Sequence, residues 1–324
     1  MSSFFSGNYD FLRWRWHAIV FSVLVVVVGV AQLARTGIPL GIDFSGGTLI
    51  VLKFQQATTE EAVRNAVAEL PGEAVVQLYG DPGDHEIMVR LAQSLDVEEG
   101  VALEQDARRV QEAVEAAGLG EFEVTKTELV GPAVGRDLQR KGLFATITSL
   151  LGIAAYIALR FRPSFALGAI AASVHDIVIS LIVVCAVGYE LSLNIIAAIL
   201  TIAGYSSNDT IVIFDRVREN ARTMKSLSLS EQVNRAVNQT LSRTVITAGT
   251  TFLAVFGLYL YGGDALEGFA FTMLVGVAAG TYSTVFIASS LAIALSKGTV
   301  QASAAPSRAV DPETRARRRE RRNA

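Results

Sequence analysis

Six long apolar runs dominate the chain, and the polar stretches between them set its organisation. About 20 apolar residues cross a bilayer as a helix. Glu190 with the polar step Ser192–Asn194 predicts a tight turn between the third and fourth runs, and Gly262-Gly263-Asp264 predicts one between the fifth and sixth. The pattern therefore predicts a polytopic α-helical membrane protein with six spans. They are Ala18–Ala34, Leu143–Leu159, Phe165–Tyr189, Leu191–Phe214, Thr244–Tyr261 and Phe269–Leu295.

The long segment between the first two runs predicts a small folded α+β domain. Strands are expected where β-branched and large apolar residues cluster, and helices where apolar residues recur at helical spacing. Gly80–Asp84 predicts a turn between the second and third strands. The order β-α-β-β-α-β is typical of a ferredoxin-like fold, which by itself carries no function. The elements are Gly47–Phe54, Thr58–Leu70, Ala74–Tyr79, Glu86–Leu91, Glu98–Ala117 and Phe122–Val130.

The chain divides into four parts: residues 1–35 with the first span, the domain at 36–141, spans two to six at 142–298, and a tail at 299–324. The tail ends in RARRRERR and is predicted to be disordered. It either contacts anionic lipid or RNA, or is a simple solvated stop. Arg13 and Arg15 before the first run fit a cleavable signal peptide or an uncleaved signal anchor. We favour the anchor, because five more spans follow.

Composition narrows the class of protein. Apolar residues make up 51% of the chain and charged residues only 18%, against about 25% charge in soluble domains. A single cysteine excludes a disulfide framework, and the three scattered histidines do not suggest a metal site. The net charge of −3 argues against specific nucleic-acid binding. The chain has no GxxxxGK[ST] loop, so we do not expect it to hydrolyse ATP.

Lysine and arginine in the segments beside the spans predict the orientation, because cytoplasmic loops carry an excess of both. The long segment Arg35–Lys141 holds 10 basic and 19 acidic residues, a net charge of −9, and the two short turns on the same side hold no basic residue. Both termini are therefore predicted to be cytoplasmic, with one large periplasmic loop. The basic residues on the inner side are Arg13, Arg15, Arg160, Arg162, Arg216, Arg218, Arg222, Lys225, Arg235 and those of the tail.

Ionisable side chains inside the spans are costly and point to function. His175 and Asp176 lie near the middle of the third span, Asp209 lies in the fourth and Arg243 opens the fifth. Asp209 is six residues from the charged end of its span, about 9 Å in depth, so Arg243 is expected at a similar depth. A carboxylate balanced between desolvation and a nearby arginine can exchange a proton. From the residues alone, a static salt bridge between Asp209 and Arg243 that locks two helices is favoured, and a proton relay at the same pair is the alternative.

Other polar residues share the faces of this predicted pair. Thr247 is four residues after Arg243, and Tyr205 is four before Asp209, whose neighbour is Asn208. Such a stripe can line a narrow hydrated path. For His175 and Asp176, a structural hydrogen bond between spans competes with a role in the relay.

Several motifs carry a resemblance to a known family. Gly41–Thr48 (GIDFSGGT) and Val174–Asp176 are two of them, and Gly204–Arg216, Asn238–Thr244 and Gly280–Ala288 are the others. Together they resemble the SecD/SecF family of the resistance–nodulation–division superfamily, and the single outer domain resembles its SecF branch. The similarity covers about residues 8 to 295. Ser290 stands where the family pattern has a proline, which leaves a kink in the sixth span open.

The resemblance implies a multi-pass subunit of the bacterial inner membrane with no catalytic activity of its own. It implies SecD as partner, the SecYEG channel, YajC as a possible third partner, preprotein as substrate and contact with membrane lipid. The driving ion is expected to be H⁺, with Na⁺ possible. Asp209 and Arg243 match the family's proton-transport residues, with His175, Asp176, Tyr205, Asn208 and Thr247 as accessory candidates.

The glycine pair Gly46 and Gly47 adds a possible hinge between span one and the outer domain, since glycine adopts positive φ. The alternative is a tight turn without motion. Three other functions stay open at this point: a small-molecule efflux transporter of the same superfamily, a structural clamp on the Sec channel, and an ion channel. The last would need rings of charge around a pore.

Overall fold

The computed structural model describes residues 9–72, 74–80, 83–91 and 99–303. Six helical segments in this part are long and apolar enough to cross a membrane. In chain order, the elements are a 3₁₀ turn (Phe11–Trp14), α1 (Arg15–Thr36), α2 (Ile42–Ser45), β1 (Gly47–Phe54), α3 (Glu60–Val67), β2 (Ala74–Tyr79), β3 (Glu86–Leu91), α4 (Glu99–Ala116), β4 (Phe122–Val130), α5 (Pro132–Arg160), α6 (Pro163–Val187), α7 (Leu193–Thr223), α8 (Leu229–Tyr261), α9 (Asp264–Ser283), a π-helical turn (Thr284–Ala288) and α10 (Ser289–Ser303).

The six predicted spans are confirmed, but three helices extend well beyond their apolar runs. α8 begins 15 residues before Thr244, and its start is fixed by a capping box at Ser228 and Glu231. The Glu231 carboxylate accepts from the Ser228 backbone N–H at 2.7 Å, and the Ser228 hydroxyl accepts from the Glu231 N–H at 3.3 Å. The helix end is thus set by capping, which hydropathy does not register.

The predicted fold class of the small domain is confirmed. Its four strands form an antiparallel sheet in the order β2-β3-β1-β4, the arrangement of a ferredoxin-like fold. One face packs on α3 and α4 around Ile50, Leu52 and Val110. The other face carries Leu49, Val51 and Met88 and packs on Ile42 of α2. The sheet is therefore buried on both sides at its central strand.

Several expectations fall outside the described residues. Asp81 and Pro82 of the predicted turn, Glu98 at the predicted start of α4, and most of the basic tail, residues 304–324, lie there.

The sheet lies at one end of the helical bundle, here called the domain end. There α1 ends, α5 begins, and the short turns α6–α7 and α8–α9 lie, as predicted at Glu190 and Gly262–Asp264. The first turn starts at Gly188, whose left-handed φ of 102° ends α6.

The sixth span is locally irregular without a proline. The π-helical turn Thr284–Ala288 separates α9 from α10, and the Ser289 hydroxyl donates to the Thr284 carbonyl at 3.1 Å. π-helical turns recur at functional sites. The family pattern would place a proline kink at this position. Here the π-helical turn interrupts the regular helix just before Ser290 instead.

Candidate functional site

A fully buried carboxylate lies where α6, α7 and α9 meet. Asp176 is 0% exposed, and its side chain accepts hydrogen bonds from all three helices. Oδ1 is 2.9 Å from His175 Nδ1, and Oδ2 accepts from the Ser206 hydroxyl at 2.5 Å and the Ser283 hydroxyl at 2.7 Å. A buried carboxylate is tolerated only with such partners. These four residues are called the Asp176 cluster below.

Further hydroxyls join the same helices. Ser173 and Ser207 are 3.0 Å apart, and Thr210 and Thr284 are also 3.0 Å apart, all four buried. Together with the Asp176 cluster, these pairs form a polar seam through an otherwise apolar bundle. The Tyr205 hydroxyl and His175 Nε2 are buried atoms that have no hydrogen-bond partner within the described part of the chain.

Asp209 is half-buried between α7 and α8, and its partner differs from the one the sequence predicts. Its Oδ1 accepts from the Thr244 hydroxyl at 2.9 Å. Arg243 is exposed and near enough to attract the carboxylate, but no ion pair between the two is found among the described side chains. A hydrogen bond from Thr244 takes the place of the static salt bridge. The physical reason is helix geometry: neighbouring residues point about 100° apart, so Thr244 faces Asp209 directly and Arg243 lies to one side of it.

The Arg243 side chain belongs to an exposed polar face on α7 and α8. Thr247 and Thr250 follow it at spacings of four and seven, and Gly204 and Asn208 are exposed on the adjoining face of α7. An unpaired arginine facing lipid at this depth is costly. This surface, called the α7–α8 polar face, is therefore suited to contact another protein.

At the domain end, the GIDFSGG motif binds the start of α7. The Gly41 N–H donates to the Leu191 carbonyl at 2.9 Å, and the Leu191 N–H donates to the Pro39 carbonyl at 2.7 Å. Leu193 is the first residue of α7, and its N–H donates to the Asp43 carboxylate at 2.8 Å. A carboxylate at a helix N-terminus stabilises it through the unpaired N–H groups and the helix dipole. The motif thus connects the base of the outer domain to α7.

A second connection joins strand β3 to the same turn. Arg90 forms an ion pair with Glu190 at 3.1 Å and also donates to the Leu40 carbonyl. Burial raises the pKa of the Glu190 carboxyl, and the Arg90 guanidinium opposes that shift. Next to it, Tyr189 donates to the Glu267 carboxylate of α9. A cavity of about 590 Å³ lies beside these contacts, between the sheet and the helix ends.

The two partners of the ion pair are expected to differ in how well their loss is tolerated. Arg90→Gln leaves the buried Glu190 carboxylate without its cation and weakens the bond to Leu40, so it should destabilise the protein by on the order of 2–3 kcal/mol. Glu190→Gln keeps the size of the side chain and an oxygen that can accept from Arg90, so it should cost less than half as much. Thermal unfolding of the two variants at pH 7 tests this ranking.

Acidification is expected to narrow the difference in stability between Arg90→Gln and Glu190→Gln, because protonated Glu190 no longer needs a cation beside it. A raised pKa in the folded state means that folding becomes less favourable as pH rises from the unfolded pKa through the folded one. When the pH falls from 7 to 5, the stability of wild type should therefore rise relative to that of Glu190→Gln, which has no carboxyl group at this position. Equal costs for the two substitutions at pH 7 would contradict this account of the ion pair.

The glycine pair occupies a turn between α2 and β1. Gly46 and Gly47 have φ of 69° and 115°, values that favour glycine. α5 packs directly on this turn, because a Cβ at Gly135 would lie 3.2 Å from the Gly46 nitrogen. The short helix α2, which the sequence did not predict, separates the pair from the end of span one at Thr36.

The structure therefore divides the predicted residues into two groups about one helical turn apart. His175 and Asp176 lie in the buried cluster, whereas Asp209 contacts α8, with Arg243, Asn208 and Thr247 on the exposed face. Sequence reasoning missed Ser206, Ser283 and Thr244 as donors, and Asp43, Arg90 and Glu190 as the connection to the sheet. Serine and threonine are common in spans, so type alone did not select them. Ser206, Thr244, Ser283 and Asp43 all lie inside the motifs quoted above, so position in a motif was the signal that could have found them.

Two family models match the chain. The model described as "Protein export membrane protein SecD/SecF, C-terminal" covers residues 109–298, and the "SecD/SecF GG Motif" model covers residues 33–58. The chain belongs to the SecD/SecF family. Membership and the six apolar helices indicate a multi-pass inner-membrane protein, and its curated relatives are of the SecF type.

Relatives named "Protein translocase subunit SecF" match over most of their length. That of Desulfurispirillum indicum is 40% identical over 287 residues, covering 87% of this chain and 90% of the relative. That of Vibrio alginolyticus is 40% identical, covering 88% and 89%. That of Escherichia coli O157:H7 is 36% identical, covering 89% and 88%.

Two solved structures share the fold. The crystal structure of SecDF from Thermus thermophilus, described as a translocon-associated membrane protein, matches with a TM-score of 0.79 and 32% identity over 90% of this chain. A SecDF structure in a "super-membrane-facing form" matches with a TM-score of 0.67 and 33% identity over 92% of this chain. The chain spans about two-fifths of those SecDF chains, 39% and 40% respectively.

Proposed function

We propose that this SecF-type chain works with a SecD partner and uses the proton-motive force to assist preprotein export through the SecYEG channel, with YajC as a possible further partner. In this proposal both termini are cytoplasmic and the sheet domain is periplasmic. The orientation is supported by the basic residues at the ends of the spans opposite the domain end.

The observation that carries the proposal is the α7–α8 polar face. Asp209 is bonded to Thr244, while Arg243 is exposed and unpaired among the described side chains. A guanidinium in a span needs an anionic partner. SecD is the partner proposed to cover this face and to bring a carboxylate to Arg243.

Proton exchange at Asp209 would then change the packing of α7. An ionised carboxylate only accepts hydrogen bonds, whereas a protonated one also donates. Protonation would weaken the bond from Thr244 and the attraction of Arg243, and α7 would move relative to α8. Breaking and remaking these contacts would couple proton transfer to movement.

The contacts at the domain end give this movement a route outward. Asp43 and the Gly41–Leu191 bond attach the base of the domain to α7 itself, whereas span one continues into the sheet along the chain through α2. We therefore propose that α7 transmits the movement, with Gly46 and Gly47 as the hinge at the start of β1. Preprotein would be held or released on the periplasmic side.

The test is preprotein export into inverted membrane vesicles that contain this chain and its SecD partner. An imposed proton gradient should stimulate export above the ATP-driven level, and an ionophore that collapses the gradient should abolish the stimulation. Stimulation by a sodium gradient instead would change the coupling ion from H⁺ to Na⁺. Equal export with and without a gradient would favour the structural clamp. A drug-resistance phenotype with no effect on export would favour an efflux transporter.

A further inference from the structure

The Asp176 cluster is a second titratable site, separate from the one at Asp209. Asp176 lies 11 residues before Val187, where α6 ends at the domain end, which places it about 17 Å from that end. Asp209 is 16 residues from the start of α7 at the same end, about 24 Å. The cluster therefore lies about 7 Å closer to the domain end than Asp209.

The cluster can satisfy both states of the carboxyl group. When Asp176 is ionised, it accepts from His175, Ser206 and Ser283. When it is protonated, it can donate to a serine oxygen, since a hydroxyl both donates and accepts. Ser283 then has an alternative acceptor, the Gly280 carbonyl at 3.2 Å. A lock that served only to join helices would not need this second arrangement.

His175 supplies an entry point for the proton. When Asp176 is ionised and His175 is neutral, the hydrogen must lie on Nδ1, because the carboxylate has none to give, and Nε2 is then an acceptor. Nε2 is buried and has no hydrogen-bond partner among the described residues. The ring lies against Tyr282, with 6.3 Å between centroids, and the Tyr282 hydroxyl donates to the Ala18 carbonyl of α1 at 2.7 Å. A proton taken up on Nε2 lets the proton on Nδ1 pass to Asp176.

Ser206 connects the cluster to Asp209. It contacts Asp176 and lies three residues before Asp209 on α7, so the two side chains are neighbours on that helix. The groups facing Asp176 are His175 from α6, Ser206 from α7 and Ser283 from α9. Within the described residues, His175 is the only ionisable side chain that contacts it.

We propose that His175 and Asp176 form a second proton-transfer site, which relays protons between the domain end of the bundle and Asp209. The proposal rests on the proton-driven function proposed above. One proton arrives at Nε2, one leaves Nδ1 for Asp176, and one leaves Asp176 for Asp209 through the hydroxyl of Ser206 and bridging water. The net result is one proton gained by Asp209, with His175 left neutral and its hydrogen on Nε2.

The test compares three variants, each co-expressed with SecD, in the vesicle export assay across a series of external pH values. His175→Asn keeps a donor where Nδ1 lies but cannot titrate. Asp176→Asn keeps the size of the side chain but not its charge. Ser283→Ala removes one hydrogen bond and no titratable group, so it reports the structural contribution of the cluster.

The relay predicts that His175→Asn and Asp176→Asn lose the gradient-stimulated component at every pH while ATP-driven export and assembly with SecD persist. Ser283→Ala should keep that component and shift its pH midpoint. Retention of wild-type stimulation and pH profile in His175→Asn would overturn the relay, as would an equal loss in Ser283→Ala. If these variants retain stimulation while Asp209→Asn loses it, this inference fails alone. If wild type itself shows no gradient stimulation, the proposed function fails as well.

Discussion

Asp209→Asn is expected to lose the entire gradient-stimulated component of export while ATP-driven export remains. In wild type the Thr244 hydroxyl donates a hydrogen bond of 2.9 Å to Asp209. Asparagine has the same size and keeps an oxygen that can accept this hydrogen bond. The substitution removes only the charge and the ability to bind a proton. A large loss would therefore identify titration, and not packing, as the property that matters. Export with and without an imposed gradient measures it.

Two control variants separate the contributions at this site. Thr244→Val keeps the shape of the side chain and removes the hydrogen bond to Asp209, so it should lower but not abolish stimulation. Arg243→Lys keeps a positive charge on the α7–α8 polar face and should retain part of the gradient stimulation. The rest should be lost, because lysine lacks the planar fork of arginine. Full stimulation in Asp209→Asn would leave the site with a structural role only.

Asp43→Ala is expected to uncouple export from the gradient although every titratable group in the bundle remains. The substitution removes the acceptor for the Leu193 N–H, at a cost of about 1 kcal/mol to the start of α7. α7 would still move on protonation, but its movement would reach the outer domain less completely. The ratio of gradient-stimulated to ATP-driven export should fall severalfold.

Asp43→Asn is the matched control for this prediction. Asparagine is also a good helix cap and keeps the oxygen that binds the Leu193 N–H, so coupling should be largely retained. Ser192→Ala removes the cap that α7 carries on its own chain, where the hydroxyl accepts from Ile195 at 3.3 Å. It should weaken the helix start without uncoupling the domain. Equal loss in Ser192→Ala and Asp43→Ala would reduce the role of Asp43 to helix stability.

Most of the fold follows from periodicity. All six spans were predicted, and the four strands were predicted with the bounds that the structure has, because alternation and apolar length report burial directly. The start of α8 at Leu229 was not predicted, because capping and tertiary contacts set it. The short helix α2 also escaped prediction: four residues between two glycines carry too little periodicity to be recognised.

The candidate site was only partly predictable. Buried charges are rare enough in spans that Asp176 and Asp209 could be selected by type. Their partners could not, since which serine or threonine faces a carboxylate depends on helix rotation. Asp209 and Arg243 do lie close enough to interact electrostatically, as expected, but the direct contact is made by Thr244, because one residue of rotation places Thr244 there instead. Residues at the domain end, such as Arg90 and Glu190, meet across 100 positions of sequence.

The central claim is that Asp209 exchanges a proton that drives α7. The most direct measurement is proton uptake into proteoliposomes that contain only this chain and its SecD partner, followed with an internal pH-sensitive dye under an imposed gradient. Wild type should admit protons faster than Asp209→Asn, which should match protein-free liposomes. Equal uptake by wild type and Asp209→Asn would contradict the account.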